Sequence, residues 1–391
     1  MQVTIENLNW RGEGVSGDQI FRHVLKGEVV EDATGRVVLA SPERTDAFCK
    51  FYARCGGCQL QHWELEPYQK WKKSLITSAL AKRGIEAHVG GIVDAHGAGR
   101  RRVGLHVRKK DGVVTAGFMA PRSHDLIDID QCPILTPALS NATGIARKLG
   151  SRLGDCDVSL TAADNGLDVA VKVERKIAEE QLPKLAGLVA ELKLLRLTVN
   201  GSLVATHGTP SIAMGKGLVQ LPTGSFLQAT KLGEETLSSL VLAAIGKAKS
   251  VADLFCGIGP FALRIANTAK VMALDTDKPA IASLAAAVRL TSGIKPLKTE
   301  VRDLMREPVV AGELKEFDAV VFDPPRAGAE AQARQLAKSF VKTVVAVSCD
   351  PASFARDAEI LIGGGYKLKS VTAIDQFKYT SHVETVAVFS R

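Results

Sequence analysis

Residues 250–259 read SVADLFCGIG. The apolar run 250–255 is short and bounded by glycines, the pattern of a strand buried on both faces. Gly257 and Gly259 let the backbone turn tightly and approach a ligand closely, and PFALRIAN (260–267) then opens a helix whose first N–H groups are free. Working outward, a helix EETLSSLVLAAIG (234–246) precedes the strand. Strands KVMALD (270–275), KPLKTEV (295–301), EFDAVVFD (316–323), KTVVAVS (342–348), KLKSVTAID (367–375) and HVETVAVFS (382–390) follow it. Helical segments KPAIASLAAAVRL (278–290), GAEAQARQLAKSF (328–340) and PASFARDAEILI (351–362) fall between them. This alternation predicts an α/β unit with a parallel, doubly wound sheet, whose ligands sit beyond the carboxyl ends of the strands.

The residues just after each strand therefore carry the functional signal. A dinucleotide fingerprint wants a third glycine where this chain has Phe261 and Ala262, which weakens a dehydrogenase reading. Asp275 ends the second strand, where a carboxylate can accept two ribose hydroxyls; NAD, adenosine and S-adenosylmethionine are all compatible with it. Asp303 follows the third strand. After the fourth, Asp323-Pro324-Pro325-Arg326 forms a rigid, extended lip that cannot continue a ladder and can present carbonyls and a carboxylate to a flat base. Together these residues form the layout of a class I, Rossmann-like methyltransferase binding S-adenosylmethionine, preferred here over a dehydrogenase. As the plainer alternative, Gly257 and Gly259 would serve a simple strand–helix turn equally well.

Methylating a nitrogen in such a fold needs only orientation, whereas carbon 5 of a pyrimidine must first be activated by a thiolate adding to carbon 6, and a base must then remove the carbon 5 proton. Enzymes that make 5-methylcytosine often carry the thiol beside the proline after strand four, and DPPR has none. Cys349, in VAVSCDPASF, lies at the end of the fifth strand and before a helix start, a position expected to favour the thiolate. A buried, inert thiol is the alternative there. Cys256, inside the glycine turn, reads as a packing residue. For the base, Glu384 in Ser381-His382-Val383-Glu384-Thr385 begins the last strand at the same rim, with His382 as its competitor.

The remaining chain is organised differently. At 391 residues, two or three units are expected. Residues 1–45 read as short strands with turn glycines, a small β-barrel. Residues 46–75 are aperiodic and rich in Cys and aromatics. Residues 76–230 carry hairpins such as RVGLHVRKK-DG-VVTAGFM and helical stretches such as ALSNATGIARKLG and EEQLPKLAGLVAELK, an α+β unit. Residues 231–391 form the α/β unit. The net charge is +8, yet residues 68–122 hold twelve Lys or Arg against three acids, a concentration that suggests a phosphate backbone as partner. The first residues lack a secretion signal and no run is apolar enough to span a membrane, so a cytoplasmic protein is expected. The seven cysteines argue against a disulfide framework. Cys49, Cys55 and Cys58 (C-x5-C-G-G-C) with Cys132 (DIDQCPIL) suggest tetrahedral zinc or an iron–sulfur cluster.

Taken in order, GSFLQAT around Gln228, DLFCGIG, DPPRAG, VSCDPASFARD and SHVETVAVFSR resemble the motifs of the bacterial RNA 5-methyluridine (uracil-C5) methyltransferases over essentially the whole chain. The resemblance implies Cys349 as nucleophile, Glu384 as the proton-abstracting base, and Gln228, Phe255, Asp275, Asp303 and Asp323 as S-adenosylmethionine contacts. It also implies a 4Fe-4S cluster, in preference to zinc, on Cys49, Cys55, Cys58 and Cys132, because the family's ribosomal-RNA members have similar spacing. The opening V-T-I-E-x-L…G-E-G-V resembles an OB-like TRAM domain. TRAM and cluster together make the chain most like the 23S ribosomal RNA enzymes, with RNA as partner and a monomer expected. The alternatives are transfer-RNA uracil or RNA cytosine as substrate, and a non-catalytic RNA-binding factor. The chain departs from the family at Pro260, where Asn is frequent, and at Phe377-Lys378-Tyr379-Thr380, where Phe-Pro-His-Thr is more usual.

Overall fold

The computed structural model describes residues 1–174 and 182–391. The first three residues of the expected helix EEQLPKLAGLVAELK lie outside this range; the rest forms the helix Leu182–Glu191.

The central strands of the C-terminal part, Ser250–Leu254, Ala319–Phe322 and Thr343–Ser348, have no polar face, and the chain buries them between two layers. They form an eight-stranded sheet in the order Leu297–Val301, Lys270–Asp275, Ser250–Leu254, Ala319–Phe322, Thr343–Ser348, Glu384–Ser390, Lys367–Asp375, Val89–Asp94. The first five are parallel, as the alternation predicts. Glu384–Ser390 runs antiparallel to both its neighbours. The strand order reverses between Ser250–Leu254 and Ala319–Phe322, which opens a crevice at their carboxyl ends.

Two of the expected boundaries move. The helix Leu65–Ala81 was not legible, and it packs on the helix Pro351–Gly363 and on the edge strand Val89–Asp94, so residues 65–94 belong with the eight-stranded sheet rather than dividing at 75. Its inner face is Tyr68, Lys72, Ile76 and Leu80, whose i, i+4 spacing is helical but whose first two members are polar. Likewise the hairpin Ser211–Met214 and Gly217–Gln220 packs on the helix Lys278–Leu290, and Ile212, Met214, Val219 and Leu227 join the core under the sheet. The packing of the eight-stranded sheet thus takes in the hairpin from Ser211, ahead of the expected boundary at 231.

The central unit is a seven-stranded sheet from Arg102–Lys110 outward, with the Asp111-Gly112 turn in the left-handed conformation its hairpin demands. The N-terminal strands form two three-stranded antiparallel ladders over Ile5, Phe21, Val24 and Val30. The chain passes from one ladder to the other at Ile5 and Glu6, whose N–H groups donate to Glu28 and Val15. Among the described residues, no helix is long and apolar enough to cross a membrane.

Candidate active site

The crevice is shaped by the turn after Ser250–Leu254, where Phe255, Gly257 and Gly259 have φ of 60°, 53° and 90°. The Gly257 N–H donates to Asp275 Oδ2 and the Asp277 N–H to Asp275 Oδ1, both at 2.8 Å. Each carboxylate oxygen keeps a lone pair for a ribose hydroxyl. A cavity of about 280 Å³ opens beside them, lined by Gln228, Phe255, Gly257, Asp275, Asp303 and Asp323, with Pro260 and Pro325 in its wall. Gly259 does not line it. A Cβ there would stand 2.5 Å from Leu284 Cδ1, so this glycine seats the turn closely against the helix Lys278–Leu290. Sequence reasoning missed Phe226, Leu304 and Met305, which supply apolar walls; Phe226 and Met305 are exposed, and an exposed Phe beside Gln228 was the one available signal.

Cys349 and Glu384 meet at the rim of this crevice. The ladder between Thr343–Ser348 and Glu384–Ser390 ends with Ser348 opposite Thr385, and the next residue on each strand is Cys349 and Glu384. Asp350 caps the helix Pro351–Gly363 by accepting from the Ser353 N–H at 2.8 Å. The helix start therefore spends its donors on Asp350, and the Cys349 thiol is not lowered as expected. Burial, then the nearby carboxylates of Glu384 and Asp323, push it up to about 12.

Glu384 and Asp323 are themselves raised, Glu384 by burial and by the charge of Asp323, Asp323 by burial. Behind them Asp253 is fully buried and raised by burial and by Asp323. His382, the rival base, is lowered to about 4 by burial and by Arg326, whose Nη2 lies 3.3 Å from its Nε2. An imidazole so weakly basic takes protons poorly, whereas a raised carboxylate takes them well. The departures Lys378 and Tyr379 anchor this loop: Lys378 pairs with Asp94 at 2.5 Å, and the Tyr379 carbonyl accepts from the N–H groups of Gln59 and Leu60. Lys72 and Tyr68 hold the neighbouring Asp375 in a buried ion pair and a hydrogen bond.

Cys49, Cys55, Cys58 and Cys132 line a second cavity, of about 140 Å³, with Phe51, Tyr52 and Ile134. All four are free thiols. Burial pushes Cys58 up to about 11 and Cys132 up to about 12, and each also feels its neighbouring cysteines. Among the described residues, no three His, Cys, Asp or Glu side chains converge as one metal ion would require.

The basic segment is less free than its charge suggests. Among the described residues, six of its twelve cations are in ion pairs: Lys70, Lys72, Arg83, Arg101, Arg108 and Arg122. Arg100 and Arg102 have no ion-pair partner among the described residues, and they line a groove that runs past Leu227 and Ala229. The Arg100 Nε is buried without a partner.

The sequence profile of the tRNA (uracil-5-)-methyltransferase family matches residues 211–391. The chain is 43% identical, over its whole length and 98% of the relative, to an uncharacterized RNA methyltransferase of Brucella suis. It is 30% identical to the 23S rRNA (uracil(1939)-C(5))-methyltransferase RlmD of Shewanella sediminis, over 89% of this chain and 83% of that one. The crystal structure of the Pyrococcus abyssi tRNA (uracil-54, C5)-methyltransferase in complex with S-adenosyl-L-homocysteine superposes over 100% of this chain and 99% of that one with a TM-score of 0.77, at 22% identity, which establishes the shared fold.

Proposed function

From its membership of the tRNA (uracil-5-)-methyltransferase family, to which this chain belongs, we propose that it methylates carbon 5 of a uracil in ribosomal RNA through Cys349 and Glu384. S-adenosylmethionine-dependent methylation of RNA uracil is the activity of the family; the choice of 23S ribosomal RNA rests on the likeness to RlmD. The observation that carries the assignment of roles is the placement of Cys349 and Glu384 just past the last ladder pair, beside the crevice lined by Asp275 and Asp323.

Bound S-adenosylmethionine supplies an electrophilic methyl group and, by its positive sulfonium, favours the thiolate in a site otherwise crowded with carboxylates. Cys349 Sγ adds to carbon 6, and the pair of the 5,6 double bond moves toward O4. Carbon 5 then takes the methyl group with the enolate electron pair, and the broken methyl–sulfur bond leaves its pair on sulfur as S-adenosylhomocysteine. Glu384 removes the carbon 5 proton, the double bond re-forms and Sγ leaves as thiolate. Asp275 orients the ribose of the cofactor, and Gln228, Phe255, Gly257, Asp303 and Asp323 complete its contacts.

Four thiols lining one void supply one cysteine for each iron of a cubane cluster. Cys49, Cys55, Cys58 and Cys132 would hold a 4Fe-4S cluster, whose role is to order the aperiodic segment. The N-terminal ladders act as a TRAM-like RNA-binding unit, and Arg100 and Arg102 grip phosphates next to the target base, replacing the broad basic surface expected from composition. The enzyme acts as a monomer in the cytoplasm, where ribosomal RNA is made.

RNA carrying 5-fluorouridine tests the chemistry, because the fluorine cannot be removed by a base. A methylated, denaturant-stable RNA–protein adduct is expected, and retention of that adduct by Cys349→Ala would refute the assignment.

A further inference from the structure

We propose that Gln376, which nothing in the reaction scheme uses, is the positioning residue that aims the Glu384 carboxylate and ties it to the cofactor-side carboxamide of Gln228. Gln376 is fully buried, in the bend between Lys367–Asp375 and Glu384–Ser390. Its Oε1 accepts the backbone N–H of Ala229 at 3.1 Å, and its Nε2 donates to Gln228 Oε1 and to Glu384 Oε2, each at 2.8 Å. Gln228 Nε2 in turn donates to Asp323 Oδ2 at 2.9 Å. One chain of hydrogen bonds thus joins the two raised carboxylates of the site.

Its polarity is fixed by a single backbone group. An amide side chain can in principle be turned either way. Here the N–H of Ala229 can only donate, so the atom facing it is the oxygen of Gln376 and the nitrogen faces Gln228 and Glu384. Gln228 must then present its oxygen to Gln376 and its nitrogen to Asp323. Both hydrogens of Gln376 Nε2 are engaged, so this residue has no donor left for a substrate and works through its neighbours. Glu384 Oε2 is the held oxygen; Oε1 has no hydrogen-bond partner among the described residues and is the oxygen available for the carbon 5 proton. A donor on Oε2 favours the ionised form, which is the form a base requires. The same chain makes the orientation of Glu384 depend on Gln228, a residue of the cofactor cavity.

The inference rests on Glu384 acting as base, and the test separates the two. Thiol addition and methyl transfer precede the base, so Gln376→Met should trap 5-fluorouridine RNA like the unaltered enzyme. On ordinary RNA its single-turnover product release should fall about tenfold or more, the loss expected for a hydrogen bond to a charged group. Adduct should accumulate, and the ascending limb of the pH profile should move up by about one unit. Unchanged release and pH profile would overturn the proposal, and so would an equal loss of trapping and release, which marks general damage. Should Gln376→Met not fold, Gln376→Glu keeps an acceptor for Ala229 and replaces the two-hydrogen donor; the same stall is expected, and normal release would overturn the proposal. Cys349-dependent trapping with release untouched by Glu384→Gln refutes instead the reading on which the inference stands.

Discussion

Cys349 and Glu384 are the first residues beyond the Ser348–Thr385 pair, on neighbouring antiparallel strands. One belongs to the end of a strand and the other to the beginning of the last, so the proposed nucleophile and base are held by the same ladder and cannot drift apart without breaking it.

Glu384 accepts a proton only as carboxylate, and burial with the adjacent Asp323 raises it to about 8. The ionised fraction therefore falls about tenfold per pH unit below that value. Release of methylated RNA should rise with pH from 6 to 8 and then level off, while Glu384→Gln should accumulate adduct at every pH. A flat profile from pH 6 to 8 in single-turnover experiments would remove Glu384 as base.

Asp275→Ala removes the carboxylate that holds the Gly257 and Asp277 N–H groups and faces the ribose site. Hydrogen bonds to a charged group contribute about 1.5–3 kcal/mol, so S-adenosylmethionine affinity should fall about tenfold to a hundredfold. Calorimetric titration gives the answer, and unaltered affinity would exclude the ribose contact.

Protein purified without oxygen should carry iron and acid-labile sulfide in equal amounts, and Cys132→Ser should lose both together with the accompanying visible absorption. Stoichiometric zinc in place of iron would exclude the cluster. Because the four thiols are half-buried and two are pushed up to about 11 and 12, metal-free protein should also react slowly with thiol reagents at neutral pH.

Arg100→Ala and Arg102→Ala should each weaken RNA binding and lower the slope of log affinity against log salt by about 0.7, the value for one phosphate contact on a single strand. Lys70→Ala, which removes an exposed side chain already paired with Glu66, should leave the slope unchanged. Equal effects from all three would return the RNA interface to a diffuse basic surface.

The sheet and the rim were legible in the sequence because buried strands, turn glycines and strand-end carboxylates are all local signals. Asp275, Asp323, Cys349 and Glu384 could be placed by their position relative to a strand alone. Gln376 could not: its partner Gln228 lies 148 residues away, and a glutamine two residues before a lysine carries no signal of its own. The helix Leu65–Ala81 was hidden for a related reason, since Lys72 sits on its buried face only because Asp375, 303 residues along, meets it there. The state of the Cys349 thiol was also misread. Position at a helix start is visible in sequence, but the capping role of Asp350 and the crowd of carboxylates are properties of the assembled site.

The carbonyl of Tyr379 has a wider consequence. Tyr379 stands in the left-handed conformation at φ 64°, and it holds the N–H groups of Gln59 and Leu60, immediately after Cys58, while its own N–H donates to the Tyr68 hydroxyl at 2.9 Å. Segments distant in the chain are thus tied together by direct hydrogen bonds, the kind of contact that couples local opening. Amide exchange at Gln59 and Leu60 should slow in step with that of the loop before Glu384, so that solvent protection around the cysteines reports directly on the order of the catalytic end of the sheet.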